Sequence, residues 1–504
     1  MLLLGGIAIG HAEPGFPPGS LIAEQRSVTL PPIVFPPRGG AAEQTQTVTG
    51  MIARGARDFV YLPVDVPSGV REIDVSYSYD RPAVAPGERG NALDIGMFDE
   101  SGIGLGNARG FRGWSGGART SFAISASDAT PGYLPGPVHA GRWHIIFGPY
   151  GVAPQGLNWS VTVTLQFGAP GPAFVPNFAP ESAPGRGRAW YRGDMHLHTV
   201  YSDGHGLPQE VADGARAAGL DFMVSTEHNT TSAHAIWGNF ATPDLLIVNG
   251  EEVTTRNGHY LALGLPRERW IDWRYRATDD VFSGFVHDIH DAGALAVAAH
   301  PFSPCVACNW KFGYGDVDAI EVWNGPWTLD DEAVLASWDS MLVANARSRT
   351  WIPAVGDSDA HSVPQVIGLP QNVVLADRLE RGALMDGVRR GHNWIAESSA
   401  VNLAFSAASG GRTAGIGDRL EVGDTDLVTV QLDVSGAPGG VVRFISDEGD
   451  VLDTVLPASG TGTVTWTTKP QISRFVRAEV RHLSSDPSIP GAMIAFTNPI
   501  FLGR

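Results

Sequence analysis

Five short segments in the middle of the chain carry histidines and carboxylates of metal-ligand type. They are His196-Leu197-His198 with Asp203 close behind, Glu227-His228, Glu251-Glu252, His300 after Ala299, and Asp357-Ser358-Asp359-Ala360-His361. In an extended segment side chains alternate, so His196 and His198 point the same way, as do Asp359 and His361. Imidazole and carboxylate donors suit zinc, manganese or iron. Glu252 offers two oxygens, enough to bridge two ions. A pair of ions roughly 3.5–4 Å apart can ionise a water and stabilise an in-line displacement. One tetrahedral structural zinc needs far fewer ligands. The pattern therefore predicts a multinuclear metal centre and the chemistry of a metal-dependent hydrolase.

These ligands need elements that bring them to one place. His228 follows the apolar run Phe222–Ser225, His300 follows Leu295–Ala299, and Asp359 follows Ile352–Gly356. Helical stretches beginning at Leu207, near 278–292 and near 330–347 alternate with these runs. Strand–helix alternation of this kind predicts a parallel α/β domain over 189–399. In α/β barrels the strands' C-terminal ends gather on one face, which is where the ligands fall. Before this domain, residues 57–167 show short runs of β-formers punctuated by Gly, Pro and Asp, the pattern of a β-sandwich. Residues 400–504 return to that pattern and predict a second sandwich. Residues 13–56 read as an extended arm, and 168–188, with five prolines, as a linker. The fold class expected is multidomain α/β plus β.

The 504 residues exceed one core, and 43% hydrophobic against 17% charged residues describes a folded chain. A net charge of −18 argues against a nucleic-acid surface. Only two lysines occur, Lys311 and Lys469. Residues 1–12 form an apolar run ending in small residues, the remnant expected of a signal peptide, which implies a periplasmic or secreted protein. No other segment reaches the ~20 apolar residues of a membrane span. Cys305 and Cys308 are the only cysteines and read as a local disulfide. The sequence assigns no oligomeric state.

The motifs His-x-His-Thr with Ser-Asp-Gly, His-Asn, Gly-x-Glu, Ala-His-Pro and Asp-x-Asp-Ala-His resemble those of the PHP (polymerase and histidinol phosphatase) superfamily of metallo-hydrolases, over about residues 190–400. Gly258-His259 with the apolar residues after it, Asp318–Asn324, Arg477–Val480 and Thr497–Ile500 are similar to the CehA/McbA-like branch. The resemblance implies a distorted (β/α)7 barrel flanked by the two sandwiches. It implies one ion on His196, His198, Glu252 and Asp359, a second on Glu252, His259 and His300, and a third on Asp203, His228 and His361. It also implies a metal-bridging hydroxide as nucleophile, with Asp203, His228, Glu252 and His361 as the catalytic residues. Glu227 departs from the family's usual Asp and is not expected to be a ligand.

Arg256 and Lys311 are candidate anchors for an anionic group, and Trp323 and Asn324 complete the expected substrate-binding set. Trp310, Trp323 and Trp327 either line an aromatic pocket or fill core. The expected substrate is a small-molecule phosphoester, a diester or a monoester. An aryl carbamate or carboxyl ester is the alternative, and a non-catalytic surface protein holding metal for structure is the remote one.

Overall fold

The computed structural model describes residues 25–362, 365–486 and 489–504. The expected signal segment 1–12 lies outside them. Residues 25–167 form a six-stranded and a four-stranded sheet. Val60, Leu62, Ile95 and Trp143 from one sheet share a buried core with Ile73, Val75, Val161 and Val163 from the other.

The expected arm is corrected within the described residues. Glu43–Ile52 is a ten-residue strand paired along its whole length with Leu157–Phe167. Its sequence, EQTQTVTGMI, is polar on both faces, so no apolar alternation marks it. Threonine's β-preference and cross-strand hydroxyl pairs hold it, Thr45 to Thr164 at 2.9 Å and Thr47 to Thr162 at 2.8 Å. The expected linker is pinned as well: Asn177 N–H donates to the Ala235 carbonyl at 2.7 Å and Ala183 N–H to Leu379 at 3.0 Å.

The strands of the central region are β1 (Ala189–Asp194), β2 (Phe222–Ser225), β3 (Leu246–Thr255), β4 (Gly258–Leu263), β5 (Leu295–Ala299), β6 (Ala319–Asn324), β7 (Ala354–Asp357), β8 (Gln371–Ala376) and β9 (Asn393–Ala396). The order is β7-β6-β5-β4-β3-β2-β1-β8-β9. β4 is antiparallel to both its neighbours, and β8 is antiparallel to β1 and β9. The helices are α1 (Pro208–Ala217), α2 (Phe282–Asp291), α3 (Leu329–Asn345) and α4 (Arg381–Arg389). α1 opens on Pro208, whose missing N–H costs nothing in a first helical turn. It buries Val211, Ala212 and Ala215 and leaves its polar residues outside.

This sheet-rich domain differs from the expected ring of seven strand–helix units. β3 and β4 are joined by a tight turn at Arg256–Asn257, and only short 3-10 turns lie between β2 and β3. No strand ladder joins β7 to β1 or β8 among the described residues. Buried asparagine amides satisfy that edge instead. Asn372 on β8 exchanges two hydrogen bonds with Gly356 at 3.2 and 2.8 Å, and Asn393 and Asn498 donate to the Ala354 carbonyl at 2.9 and 3.1 Å.

The C-terminal region is continuous with this sheet rather than separate. Met493–Thr497 pairs with β9, extending one sheet to 15 strands. A four-stranded sheet packs across it over Val430, Leu432, Phe444 and Val480. The N-terminal sandwich also shares core with the central domain. Phe111 stacks on Trp270 with centroids 4.2 Å apart, and Trp114 lies 4.7 Å from Trp273. Beside them the buried Arg274 donates to the Tyr61 hydroxyl at 2.6 Å and to the Ile103 carbonyl at 2.9 Å.

Candidate metal centre

The strand ends deliver the ligands. His196 and His198 extend from β1, His228 follows β2, Glu252 sits on β3, His259 on β4, His300 follows β5, and Asp359 and His361 follow β7. The structure brings all of them together. Three sets have ligand atoms within 4.8 Å of one another: His196, His198, Glu252 and Asp359; His228, Glu252 and His259; and His198, Asp203, His228 and His361. Glu252 is central. Its Oε2 lies 3.2 Å from Nε2 of both His196 and His198 and 2.9 Å from His228 Nδ1. Its Oε1 lies 2.8 Å from His259 Nδ1 and 3.2 Å from His300 Nε2. His300 thus touches the shared carboxylate without joining a tight set. His228 stands in two sets and His198 in two, where sequence reasoning assigned each to one.

Strand alternation separates the two glutamates of β3. Glu252 faces the cluster, while Glu251 turns to the opposite face and accepts the Ile271 N–H at 2.8 Å. Two ligand-bearing residues also hold backbone angles unusual for side-chain residues, His300 at φ 28° and Asp359 at φ 49°. Such strain persists only where surroundings enforce it.

The donor set passes a test for cations. His196 Nε2, His198 Nε2, His259 Nε2, Glu252 Oε2 and Asp359 Oδ1 are buried and have no partner of hydrogen-bond geometry. Buried polar atoms are otherwise nearly always paired. The first-set atoms lie 3.1–3.3 Å apart, lone pairs converging on a common centre. The electrostatics agree. Burial disfavours charge on Glu252, yet His228, His196 and His259 hold its carboxyl well below the usual range. Burial likewise opposes charge on His228, but Glu252 and Asp203 push it up to about 10. His259 goes the other way, down to about 4, because burial outweighs Glu252.

A surrounding ring orients these ligands, and sequence reasoning missed it. Glu321 accepts from His196 Nδ1 at 2.9 Å, His300 N–H at 2.7 Å and Asn324 Nδ2 at 3.0 Å. Glu227 accepts from Thr199 N–H at 3.1 Å and Ser202 Oγ at 2.6 Å, fixing the loop between His198 and Asp203. A carboxylate holding a ligand's second ring nitrogen is the usual outer arrangement of a metal histidine. The signal for Glu321 was its position on a strand ending beside the ligands.

The substrate-binding expectations divide. Lys311 is corrected: its ammonium folds onto the Asn309 carbonyl at 3.2 Å on the surface. Trp323 is corrected too. It is 1% exposed, packed with Trp338 and Phe496, and donates to the Gly325 carbonyl at 2.7 Å. Asn324 serves the ligands, with Nδ2 3.4 Å from Asp359 Oδ2. Arg256 lines the cavity but commits Nη2 to the Asp58 and Pro149 carbonyls, both at 3.0 Å. Trp310 packs against Tyr260 and Phe282. Cys305 and Cys308 are joined as a disulfide.

A cavity of about 710 Å³ opens over the cluster, lined by Asp203, His228 and His259 from the central domain. Its aromatic wall is Phe59, Trp114, Tyr150 and Trp273, three of them from the N-terminal sandwich, rather than the tryptophans expected from the sequence. Among the described residues, no helix is long and apolar enough to cross a membrane.

No family model matches the chain. The chain is similar to an uncharacterized protein of Methanocaldococcus jannaschii, 28% identical, with the match covering 26% of this chain and 81% of that protein. Among solved structures it is similar to a two-domain protein of Bacteroides vulgatus containing a predicted PHP-like metal-dependent phosphoesterase, at 17% identity over 64% of this chain and 100% of that chain, TM-score 0.35. It is also similar to an amidohydrolase of Chromobacterium violaceum bearing sulfate and no metal, at 19% identity over 35% of this chain and 89% of that chain, TM-score 0.25.

Proposed function

We propose that the chain is a metal-dependent hydrolase of the PHP type that cleaves phosphoesters, exported to the periplasm or beyond. The observation that carries the reading is the convergence of ligand-type side chains from six separate segments around the Glu252 carboxylate, with buried, unpaired atoms on His196, His198, Glu252, His259 and Asp359. His196, His198, Glu252 and Asp359 would hold one ion. Glu252, His228 and His259, with His300 beside them, would hold a second, and Asp203, His361 and His198 a third. Divalent ions there would supply Lewis acidity, lowering the pKa of water and neutralising charge on the reacting group.

The protein's own part is orientation and exclusion. Glu321 and Glu227 fix the ligand rings and the Asp203 loop, so the cluster is rigid before substrate arrives. Burial of His196, His198 and Glu252 limits water access from beneath. The cavity opens beside Asp203, His228 and His259. The aromatic wall favours an ester with an apolar organic group, which also suits the second reading, an aryl carbamate or carboxyl ester.

The test is a screen of p-nitrophenyl phosphate, bis-p-nitrophenyl phosphate and 1-naphthyl carbamate with zinc-, manganese- or iron-loaded protein. Phosphoester turnover without carbamate turnover supports the first reading, and the converse the second. Absence of turnover with every metal and all three esters rejects both.

A further inference from the structure

Resting on the hydrolase reading, we infer that the outer half of the cavity is a specificity subsite, which takes a ring of the substrate's organic group and reads a hydrogen-bond donor on that ring through Asp94. The residue belongs to the N-terminal sandwich, on the strand Ala92–Phe98, and not to the metal-bearing domain. It lines the same cavity as Asp203 and His228, beside Trp114 of the aromatic wall.

Three features mark a built subsite. First, the Asp94 carboxylate has no hydrogen-bond or ion-pair partner among the described residues, although it is half-buried. Of the two guanidinium groups that line the cavity, Arg256 places Nη2 on two carbonyls and Arg119 places Nη2 on the Val200 carbonyl, and neither pairs with Asp94, although each keeps a buried Nε without a hydrogen-bond partner. Burial raises the Asp94 carboxyl to about 7, against the opposing pull of Arg256 and His228. A carboxylate left in this state gains from a donor that arrives with a ligand.

Second, glycines form the wall beside it. A methyl group at Gly117 would lie 3.3 Å from Asp94 Oδ1, and one at Gly148 would lie 2.9 Å from the Trp114 ring and 3.3 Å from Asp94 Cβ. A side chain at Gly148 would displace the indole, and one at Gly117 would crowd the carboxylate. Third, Phe59, Trp114 and Trp273 line the same cavity and belong to the core shared by the two regions, which holds them in place. A flat apolar ring fits such a wall, and a lone polar group in an apolar pocket fixes orientation.

The experiment titrates benzylphosphonate and 4-(aminomethyl)benzylphosphonate calorimetrically into the zinc-loaded full chain, in the natural protein and in Asp94→Ala and Asp94→Asn. The natural protein is expected to prefer the amine by about 10- to 100-fold, the discrimination typical of a charge-assisted hydrogen bond. In both variants the ratio should collapse to within about threefold. No preference in the natural protein, a preference that survives in both variants, or no binding of either probe at millimolar concentration overturns the inference. The phosphonates are not hydrolysed, so this outcome is read separately from turnover. A protein inert toward all three screening esters that still shows an Asp94-dependent ratio would sink the hydrolase reading and leave the subsite standing.

Discussion

Replacing Glu321 by glutamine tests whether the cluster is held as a metal site. The carboxylate accepts three hydrogen bonds, from His196 Nδ1, His300 N–H and Asn324 Nδ2, at 2.9, 2.7 and 3.0 Å. Glutamine keeps one acceptor oxygen and turns the other into a donor. That oxygen can serve His196 or the His300 backbone, and the amide N–H then confronts the remaining donor. Losing one hydrogen bond to a buried charged group costs about 1.5–3 kcal/mol. The cost falls on metal binding, because His196 Nδ1 fixes the ring whose Nε2 faces Glu252 and Asp359. Outer partners of metal histidines are worth about 10- to 100-fold in metal affinity, or ~1.4–2.7 kcal/mol, which agrees with the bond-based figure. Competition against a chromophoric chelator, run with zinc and with manganese, measures the affinity. A melt in excess EDTA shows whether the metal-free fold survives. Affinity unchanged within about twofold for both metals would refute the reasoning.

Three further outcomes are expected. Asp359→Ala removes a carboxylate shared by the first set, so ester turnover should fall to background while far-UV circular dichroism stays native; retained turnover would contradict the assignment. In metal-free protein the His228 contribution to stability is complete below its ordinary value and lost as pH rises through about 10, whereas those of Asp203 and Asp359, held below the usual range by facing histidines, are lost as pH falls. The EDTA-treated protein should therefore melt highest near about pH 4.5–6.5, and its gain in Tm on adding zinc should grow from pH 6 to pH 9 as the ion displaces fewer protons; a gain flat with pH would argue against it. Trp273→Ala empties a site between the sandwich and the central domain, so a loss of about 3–5 kcal/mol is expected by urea unfolding, and under 1 kcal/mol would show that the two regions do not share a core.

The ligands were legible because each stands at the end of an apolar run, a pattern that survives without knowing strand order. The helices near 208, 282 and 329 were legible from their alternation with the apolar runs, and the first also from Pro208 at its start; the first two carry an apolar stripe of helical period, whereas the third is apolar on more than one side. What the sequence hid depends on long-range packing. Glu43–Ile52 becomes a strand through pairing with residues more than 100 positions away, and its own pattern is polar. Trp323 and Lys311 sit next to ligand segments in sequence, but strand alternation and loop direction carry one into the core and the other to solvent. Phe59, Asp94 and Trp114 reach the cavity from a region with no chemical motif at all. The branch-like motifs at Arg477 and Asn498 also gain a physical meaning. Arg477 bridges Asp339 on α3 and Glu479 on its own strand, at 2.5 and 2.6 Å, and Asn498 satisfies the edge of β7. Both anchor the C-terminal sheet to the metal-bearing domain.

The sheet's unpaired seam bears on the site directly. β1 and β7 share no ladder, yet their C-terminal ends carry His196, His198, Asp359 and His361 and must meet to close the first set. Two buried acids cross the gap in opposite directions. Asp194, at the end of β1, accepts the Ser358 N–H at 3.1 Å, and Asp357, at the end of β7, accepts the Met195 N–H at 2.7 Å. A backbone bridge, His198 N–H to the Ala360 carbonyl at 3.2 Å, lies just beyond them, followed by His205 N–H to the His361 carbonyl at 2.7 Å. A regular ladder would have carried pairing through these residues and left their side chains alternating in and out. Carboxylates that bind the opposite backbone free both segments to bend, which is where Asp359 takes its positive φ. Burial raises Asp194 to about 6 and Asp357 well above the usual range, so each acid is costly to keep charged. Residues that cost stability and also shape two ligand segments are better explained by the cluster than by the fold.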